Sequence, residues 1–197
     1  MTHVVHTHLH GDHVGWNTHR ANGRWEPTFP NALCYVPHLD YDLFRLHRAR
    51  AMSPEAYDAV LADSIVPIVE AGLVRFISDG DEVAGLVAIA TPGHTPGHLA
   101  YSFRQDGDEI LFAGDVMHSP IQVLYPSISS QWCEEPDLAR SSRAALLERA
   151  AASEAAILPA HAKQIDGWRV ARTGDGYTIG FETGPSDGAP ARIVGDR

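Results

Sequence analysis

The segment Thr7-His8-Leu9-His10-Gly11-Asp12-His13 constrains this chain more than any other. Three imidazoles and a carboxylate fall within six residues, His8 to His13. Neutral imidazole and carboxylate form the donor set of zinc and its divalent neighbours. His8 and His10 are two apart, so at the end of an extended strand they point the same way. Gly11 permits a sharp turn that aims Asp12 and His13 at a second position nearby. One strand and one turn are therefore expected to feed two adjacent ions.

Later segments supply matching residues. Thr91-Pro92-Gly93-His94-Thr95-Pro96-Gly97-His98 is a rigid loop that presents His94 just after a strand candidate. Asp115 follows Gly114 at the end of another strand candidate, where a carboxylate can bridge two metals with its two oxygens. His161 again follows a short strand, and His118 lies three residues past Asp115. Loops at strand ends are where scaffolds of this kind carry their chemistry. No GxSxG elbow argues for a serine nucleophile.

Length and composition narrow the class. At 197 residues with 44% hydrophobic and 20% charged, the chain has the size and balance of one globular domain. Its net charge of −10 makes it a poor partner for nucleic acid or an anionic membrane, so a small-molecule substrate is expected. No apolar run reaches the roughly 18 residues of a membrane span. No signal peptide is visible, which makes the cytoplasm the default location, although preceding sequence would be free to carry one. Cys34 and Cys133 have no CxxC spacing and read as reduced packing residues.

Periodicity and punctuation suggest the order of elements. Thr2–Leu9 reads as a strand running into the metal motif, Asn17–Asn31 as a long loop, and Ala32–Val36 as a strand. His38–Met52 reads as a helix, and Ser53-Pro54 opens another that Pro67 kinks or splits and Gly72 closes. Val74–Ile77, Leu86–Ala90, Leu99–Phe103 and Glu109–Ala113 are short strands, with a hairpin turn at Gln105–Asp108. Asp137–Ser153 is an Ala- and Arg-rich helix whose Arg140, Arg143 and Arg149 are expected to face solvent. Ala156–Leu158 precedes His161, and a last hairpin joins Trp168–Arg172 to Tyr177–Phe181.

THLHGDHVGWN, TPGHTPGH, Gly114-Asp115 and Pro159-Ala160-His161, in that order, resemble the metallo-β-lactamase-fold hydrolase superfamily. GRWEPTFPN and GDVMHSPIQV are most similar to its lactonase and methyl-parathion-hydrolase-like branch. The resemblance runs from Thr2 to about Phe181, which puts a hydrolase domain at 1–183 and a Gly/Pro-rich flexible tail at 184–197. It implies an α/β (α+β) fold, an αββα sandwich of two sheets between outer helices. It further implies that His8, His10 and His94 hold one divalent ion and that Asp12, His13 and His161 hold a second. Asp115 would bridge both. Zinc is the first expectation; Mn, Co or Fe suit the same donors. Such a pair, about 3.5–4 Å apart, would use a bridging hydroxide to attack a lactone, ester or phosphotriester.

The resemblance places His118 where related lactonases carry a tyrosine. It is expected to donate to the substrate oxygen or leaving group, or else to hydrogen-bond behind the ligands. His98 is expected to donate within its loop, and His6 to sit in the core. His3, His19, His38 and His47 read as surface residues. Trp16, Trp25, Phe29 and Trp132 either line an apolar substrate pocket or simply pack.

Two further points bear on the resemblance. β-Lactamases of this fold tend to replace the bridging Asp with Cys, so Asp115 disfavours that activity. Thioester hydrolysis is also compatible with the fold, and so is a non-catalytic fragment that only binds metal. Family members also carry several strands before the HxHxDH strand, whereas Met1 stands five residues before His6. The chain is thus expected to be N-terminally incomplete, with an exposed sheet edge at Val4 and Val5 that favours homo-oligomers.

Overall fold

β-Branched and aromatic runs cut short by Gly, Asp and Pro become strands here, and the Ala- and Leu-rich runs become helices. The computed structural model describes residues 1–46, 53–162 and 167–181. In chain order these form β1 (His3–Val5), α1 (Gly11–Val14), β2 (Thr18–Ala21), β3 (Arg24–Pro27), β4 (Leu33–Pro37) and α2 (His38–Arg45). Next come α3 (Pro54–Val60), α4 (Val66–Glu70), β5 (Val74–Ile77), β6 (Glu82–Val83), β7 (Leu86–Ala90), β8 (Leu99–Gln105) and β9 (Asp108–Gly114). The chain continues through α5 (Ile121–Leu124), α6 (Pro136–Ser153), β10 (Ala156–Pro159), β11 (Trp168–Thr173) and β12 (Gly176–Phe181).

Two sheets stack face to face. The smaller is three parallel strands in the order β1-β4-β5, with β1 at one edge. The larger has seven strands in the order β12-β11-β10-β9-β8-β7-β6, antiparallel except where β10 runs parallel to β9. Ile77, Val83, Ala88, Leu99 and Tyr101 fill the space between them, with Val5 and Tyr35 packed against that cluster. Leu9, Val36, Phe44, Tyr57 and Ile65 cover the outer face of the small sheet. On the far side Leu146, Leu147 and Ala150 of α6 pack against Leu111, Ile157 and Trp168. Each leucine buried this way contributes about 1.5–3 kcal/mol. The layers are therefore helix, sheet, sheet, helix, the expected αββα sandwich.

Most elements fall where the sequence puts them, and the differences have physical causes. The opening strand ends at Val5, because the chain then leaves one sheet to meet the other. His6 N–H still donates to Tyr35 O, but Thr7 O accepts from Leu99 N–H at 2.8 Å and His6 O from Tyr101 Oη. The segment expected as a long loop contains the hairpin β2–β3, which turns at Asn22-Gly23, both with positive φ. Asn-Gly is the strongest short hairpin signal, so this one was readable. Ser53 caps α3 by accepting from Ala56 N–H. A π-turn at Leu61–Ile65 precedes Pro67, which takes the first turn of the new helix α4 rather than kinking the old one.

The Arg-rich face of α6 is not uniformly solvated. Arg143 is fully buried, and Arg149 donates to the buried Glu109 at 2.7 Å. His47 and the expected helix beyond Leu46 lie outside the described residues, as does the tail at 184–197. Among the described residues no helix is long and apolar enough to cross a membrane.

Candidate metal centre

Every proposed ligand follows a strand, on the loop after it or in the short helix that the loop enters. β1 delivers His8 and His10 on the loop that links it to α1, and Asp12 and His13 lie in the first turn of α1 itself. The crossing hydrogen bonds at His6 and Thr7 anchor this loop to both sheets just before His8. His94 comes from the β7–β8 loop, which packs on the start of α6 through Glu134 N–H to His94 O and Glu135 N–H to Gly93 O. Gly93 has φ +124°, and a Cβ there would lie 2.1 Å from Ala139 N, so no other residue fits.

Asp115 leaves β9 through Gly114, at φ +51°, where a Cβ would lie 2.7 Å from His98 Nε2. That nitrogen accepts the Asp115 N–H at 3.0 Å, and His98 Nδ1 meets Thr91 Oγ1 at 2.8 Å. The acceptor role at Nε2 leaves the proton on Nδ1, so His98 is the neutral Nδ1–H tautomer. Burial pushes its pKa down to about 3, which keeps it neutral. His161 arrives beside Asp115 because β10 pairs with β9 and Ala160 N–H donates to Gly114 O.

The side chains converge in four overlapping groups around one carboxylate, and two of these, His8-His13-Asp115 and His94-Asp115-His118, include the carboxylate itself. Donor atoms of His8, His10 and His94 lie within 4.8 Å of one another, and so do those of Asp12, His13 and His161. Asp115 stands between them. Its Oδ1 is 3.3 Å from His13 Nε2. Its Oδ2 is 3.3 Å from His94 Nε2 and 3.1 Å from both His161 Nε2 and His118 Nε2. His94 Nε2 is also 2.9 Å from His10 Nδ1.

This donor set fits divalent ions. His8 Nε2, His10 Nε2, His13 Nε2 and Asp115 Oδ1 are buried with no hydrogen-bond partner among the described residues. Buried polar atoms without partners are costly, and cations would satisfy these. Burial holds His8 well below the ordinary histidine range and also lowers His10, while His94 falls to about 2. All three are thus neutral imidazoles at pH 7, the form that ligates metal. His13 differs: burial alone would lower it, but the Asp115 carboxylate raises it. Burial alone would likewise raise Asp115, but its close contacts with His118 and His13 hold it far below the usual carboxylate range.

A cleft of about 520 Å³ opens over the cluster, lined by His10, Asp12, His94, Asp115, His118 and Trp132, among others. Of the four aromatics that the sequence offers as pocket walls, Trp132 borders this cleft, whereas Trp16 is 82% exposed and lies outside its lining. His118 stacks parallel to His161 at 5.5 Å. Gln122 Oε1 holds the His118 N–H at 2.7 Å. His6 is buried, contacting Tyr35 O and the Asn17 side chain, while His3, His19 and His38 are exposed.

Three contacts have no signal in the sequence. Cys133 Sγ lies 3.9 Å from His94 Nδ1, Arg143 braces the loop that follows Asp115, and Asp40 is buried beneath the ligand loops. Each depends on residues distant in the chain, and nothing local marks the pairing.

A four-layered αββα sandwich with a His/Asp cluster on the loops and short helix that follow its strands defines a metallohydrolase-type scaffold. The chain belongs to the metallo-beta-lactamase superfamily, whose family model matches residues 1–161. Among curated proteins it is 32% identical over 119 residues to a hydroxyacylglutathione hydrolase of Rhodopseudomonas palustris (strain ATCC BAA-98 / CGA009), covering 60% of this chain and 35% of that protein. It is 30% identical over 115 residues to the uncharacterized protein YobT of Bacillus subtilis (strain 168), covering 58% of this chain and 46% of that one. The chain thus matches less than half the length of these relatives.

Among solved structures, hydrolase AbOPH of the beta lactamase superfamily matches at a TM-score of 0.82 and 24% identity, over 95% of this chain and 66% of that one. The dizinc quorum-quenching lactonase AidC matches at 0.76 and 20%, over 91% and 63%. Divalent metal binding follows from the family and from the donor groups present.

Proposed function

We propose that this protein is a metal-dependent hydrolase that holds two divalent ions, zinc foremost, and cleaves lactones, esters or phosphotriesters. One observation carries the reading: two three-residue donor groups flank a single buried carboxylate that faces both. His8, His10 and His94 would hold the first ion, Asp12, His13 and His161 the second, and Asp115 both. Bound there, the ions supply a water activated near neutral pH and Lewis acidity toward the substrate oxygen.

The chain's own groups do the rest. Asp115, fixed through His98, sets the spacing of the two sites. Its negative charge offsets part of the repulsion between the ions. His118 faces the cleft from the carboxylate's Oδ2 side and is placed to donate a proton to the leaving oxygen or to hydrogen-bond the substrate carbonyl or phosphoryl. Trp132 offers an apolar wall, which favours a neutral substrate with an apolar portion. The net charge of −10 also disfavours anionic substrates.

Elemental analysis of protein purified without chelator should find two ions per chain. A panel of acyl lactones, aryl esters and phosphotriesters should be turned over faster than a penicillin. His118→Phe should keep both ions and lose turnover by about 10²–10⁴-fold. One ion or none would sink the dinuclear reading. A thioester reading has specific support in the relatives named hydroxyacylglutathione hydrolases. A thioester preferred over every lactone and oxyester in the panel would move the substrate class there and leave the metal reading standing.

A further inference from the structure

The two arms of the first proposed ion site come from distant parts of the chain, and one buried side chain ties them together. His8 and His10 flank Leu9 on the loop after β1, and His94 precedes Thr95 on the β7–β8 loop. Asp40, in the first turn of α2, lies between these loops and is 2% exposed. Its Oδ2 accepts the Thr95 hydroxyl at 2.7 Å, and its Oδ1 accepts the Gly97 N–H at 2.6 Å. The Leu9 N–H donates to the same carboxylate. A Cβ on Gly97 would lie 2.5 Å from Asp40 N and 2.6 Å from Asp40 Oδ1, so the loop is seated against this residue with no slack. Among the described residues Asp40 binds the neighbours of the ligands, Leu9, Thr95 and Gly97.

We propose that Asp40 is the positioning residue of the metal centre, a buried carboxylate that fixes the His8–His10 loop and the His94 loop at the separation the first ion requires. A carboxylate suits the task because it accepts several hydrogen bonds at once, and bonds to a charged acceptor are the stronger kind. Without it the Leu9 and Gly97 N–H groups and the Thr95 hydroxyl lose a shared acceptor in a buried place. The two loops would then be joined by the Leu99 N–H to Thr7 O bond and by the ion itself. The role extends the dinuclear reading and rests on it.

The test compares Asp40→Ala, Asp40→Asn and Thr95→Val with the wild-type protein, loaded with zinc or cobalt. Metal is followed by chelator competition and by the visible spectrum of the cobalt form. Removing residues that orient metal ligands typically costs about 10–100-fold in affinity. Asp40→Ala should weaken one of the two ions by that factor, leave the other near its original affinity, and alter the cobalt spectrum. Asp40→Asn should restore most of the affinity, because its Oδ1 can still accept from Gly97 while the Thr95 hydroxyl rotates to accept from the amide. Thr95→Val removes one of the bonds with little change of shape and should give a smaller loss of the same ion; it reports even if Asp40→Ala fails to fold.

Wild-type affinities and an unchanged cobalt spectrum in both Asp40→Ala and Thr95→Val would overturn the proposal. Equal weakening of both ions in step with a general loss of stability would do so too. Fewer than two ions in the wild type would instead refute the dinuclear reading itself.

Discussion

Arg143→Met should destabilise this protein more than its place on a helix surface pattern suggests. Arg143 is fully buried in α6, and its partners are carbonyls. Its Nε donates to Val116 O at 2.9 Å, and its Nη1 donates to Pro126 O at 2.6 Å and Ile128 O at 2.7 Å. Bonds from a charged donor are each worth about 1.5–3 kcal/mol, so the three together amount to about 5–9 kcal/mol gross. Against this stands the cost of keeping a cation out of water, visible as a guanidinium pKa lowered by burial and as an Nη2 without a partner among the described residues. Methionine removes that cost along with the bonds but takes the donor from the Val116 and Pro126 carbonyls, while Ile128 O keeps Gln122 Nε2. The net loss should be about 3–5 kcal/mol, the range for stripping one side of a buried charged network.

At about 2–4 °C per kcal/mol for a chain of this size, Tm should fall by roughly 6–20 °C. Urea unfolding of the zinc-loaded protein gives the free energy directly. The braced loop runs from Val116 past His118 to Ile128, and Gln122 Nε2 shares the Ile128 carbonyl with Arg143. Turnover by the folded variant should therefore drop while its metal content holds. Arg143→Lys keeps the charge without the fork and should fall between the two. A methionine variant within about 0.5 kcal/mol of wild type, in the range of an ordinary surface change, would refute the reasoning.

Two more outcomes follow from the same geometry. Asp115→Ala should be the most damaging ligand change, lowering the content of both ions by elemental analysis, whereas a ligand private to one site should spare the other; retention of both ions and full turnover would remove the bridging assignment. Glu109 is held down to about 2, because hydrogen bonds from Ser102, Arg149 and Arg104 outweigh a burial that would raise it. A depressed acid contributes stability that is present above its ordinary pKa near 4.5 and is lost as pH falls toward 2. The contribution is at most about 3 kcal/mol, because both arginines are partly exposed. Glu109→Gln should unfold more readily than wild type at pH 7 and show a shallower loss between pH 5 and pH 2 in urea titrations; parallel curves would show that the pair contributes nothing.

What could be read from the sequence is what local geometry controls. The spacing of His8, His10, Asp12 and His13 needs only a strand end and a turn to bring the four together. The strands at Val74–Ile77 and Leu86–Ala90 have the bounds their apolar runs and flanking turns suggest. Arg143 shows a different kind of miss. The buried positions of α6 are Ala139, Arg143, Leu146, Leu147 and Ala150, a regular helical stripe. Burial in the structure, not the sequence, puts Arg143 on that stripe, because its charge argues for solvent. Loops that close on themselves around Gly, as at Asn22-Gly23, are legible too once the dipeptide is weighed against the length of the segment around it.

The convergence of the site is of another order. His94 reaches His8 because Leu99 N–H bonds to Thr7 O across the two sheets, and His161 reaches Asp115 because β10 pairs in parallel with β9. Neither pairing leaves a mark in the residues that make it: Thr7 and Leu99 take part only through backbone atoms that every residue but proline has. A bond made through the backbone imposes a shape without choosing a side chain, so it cannot be found by asking which residues are present. Asp40 lies at the limit of this rule. Its side chain is chosen for the task, but its partners Leu9 and Gly97 contribute only N–H groups. From the sequence it reads as an acid in the first turn of a helix, where acids are favoured without further cause. Folding alone discloses that this carboxylate faces inward and holds two loops whose histidines lie 84 residues apart, His10 to His94.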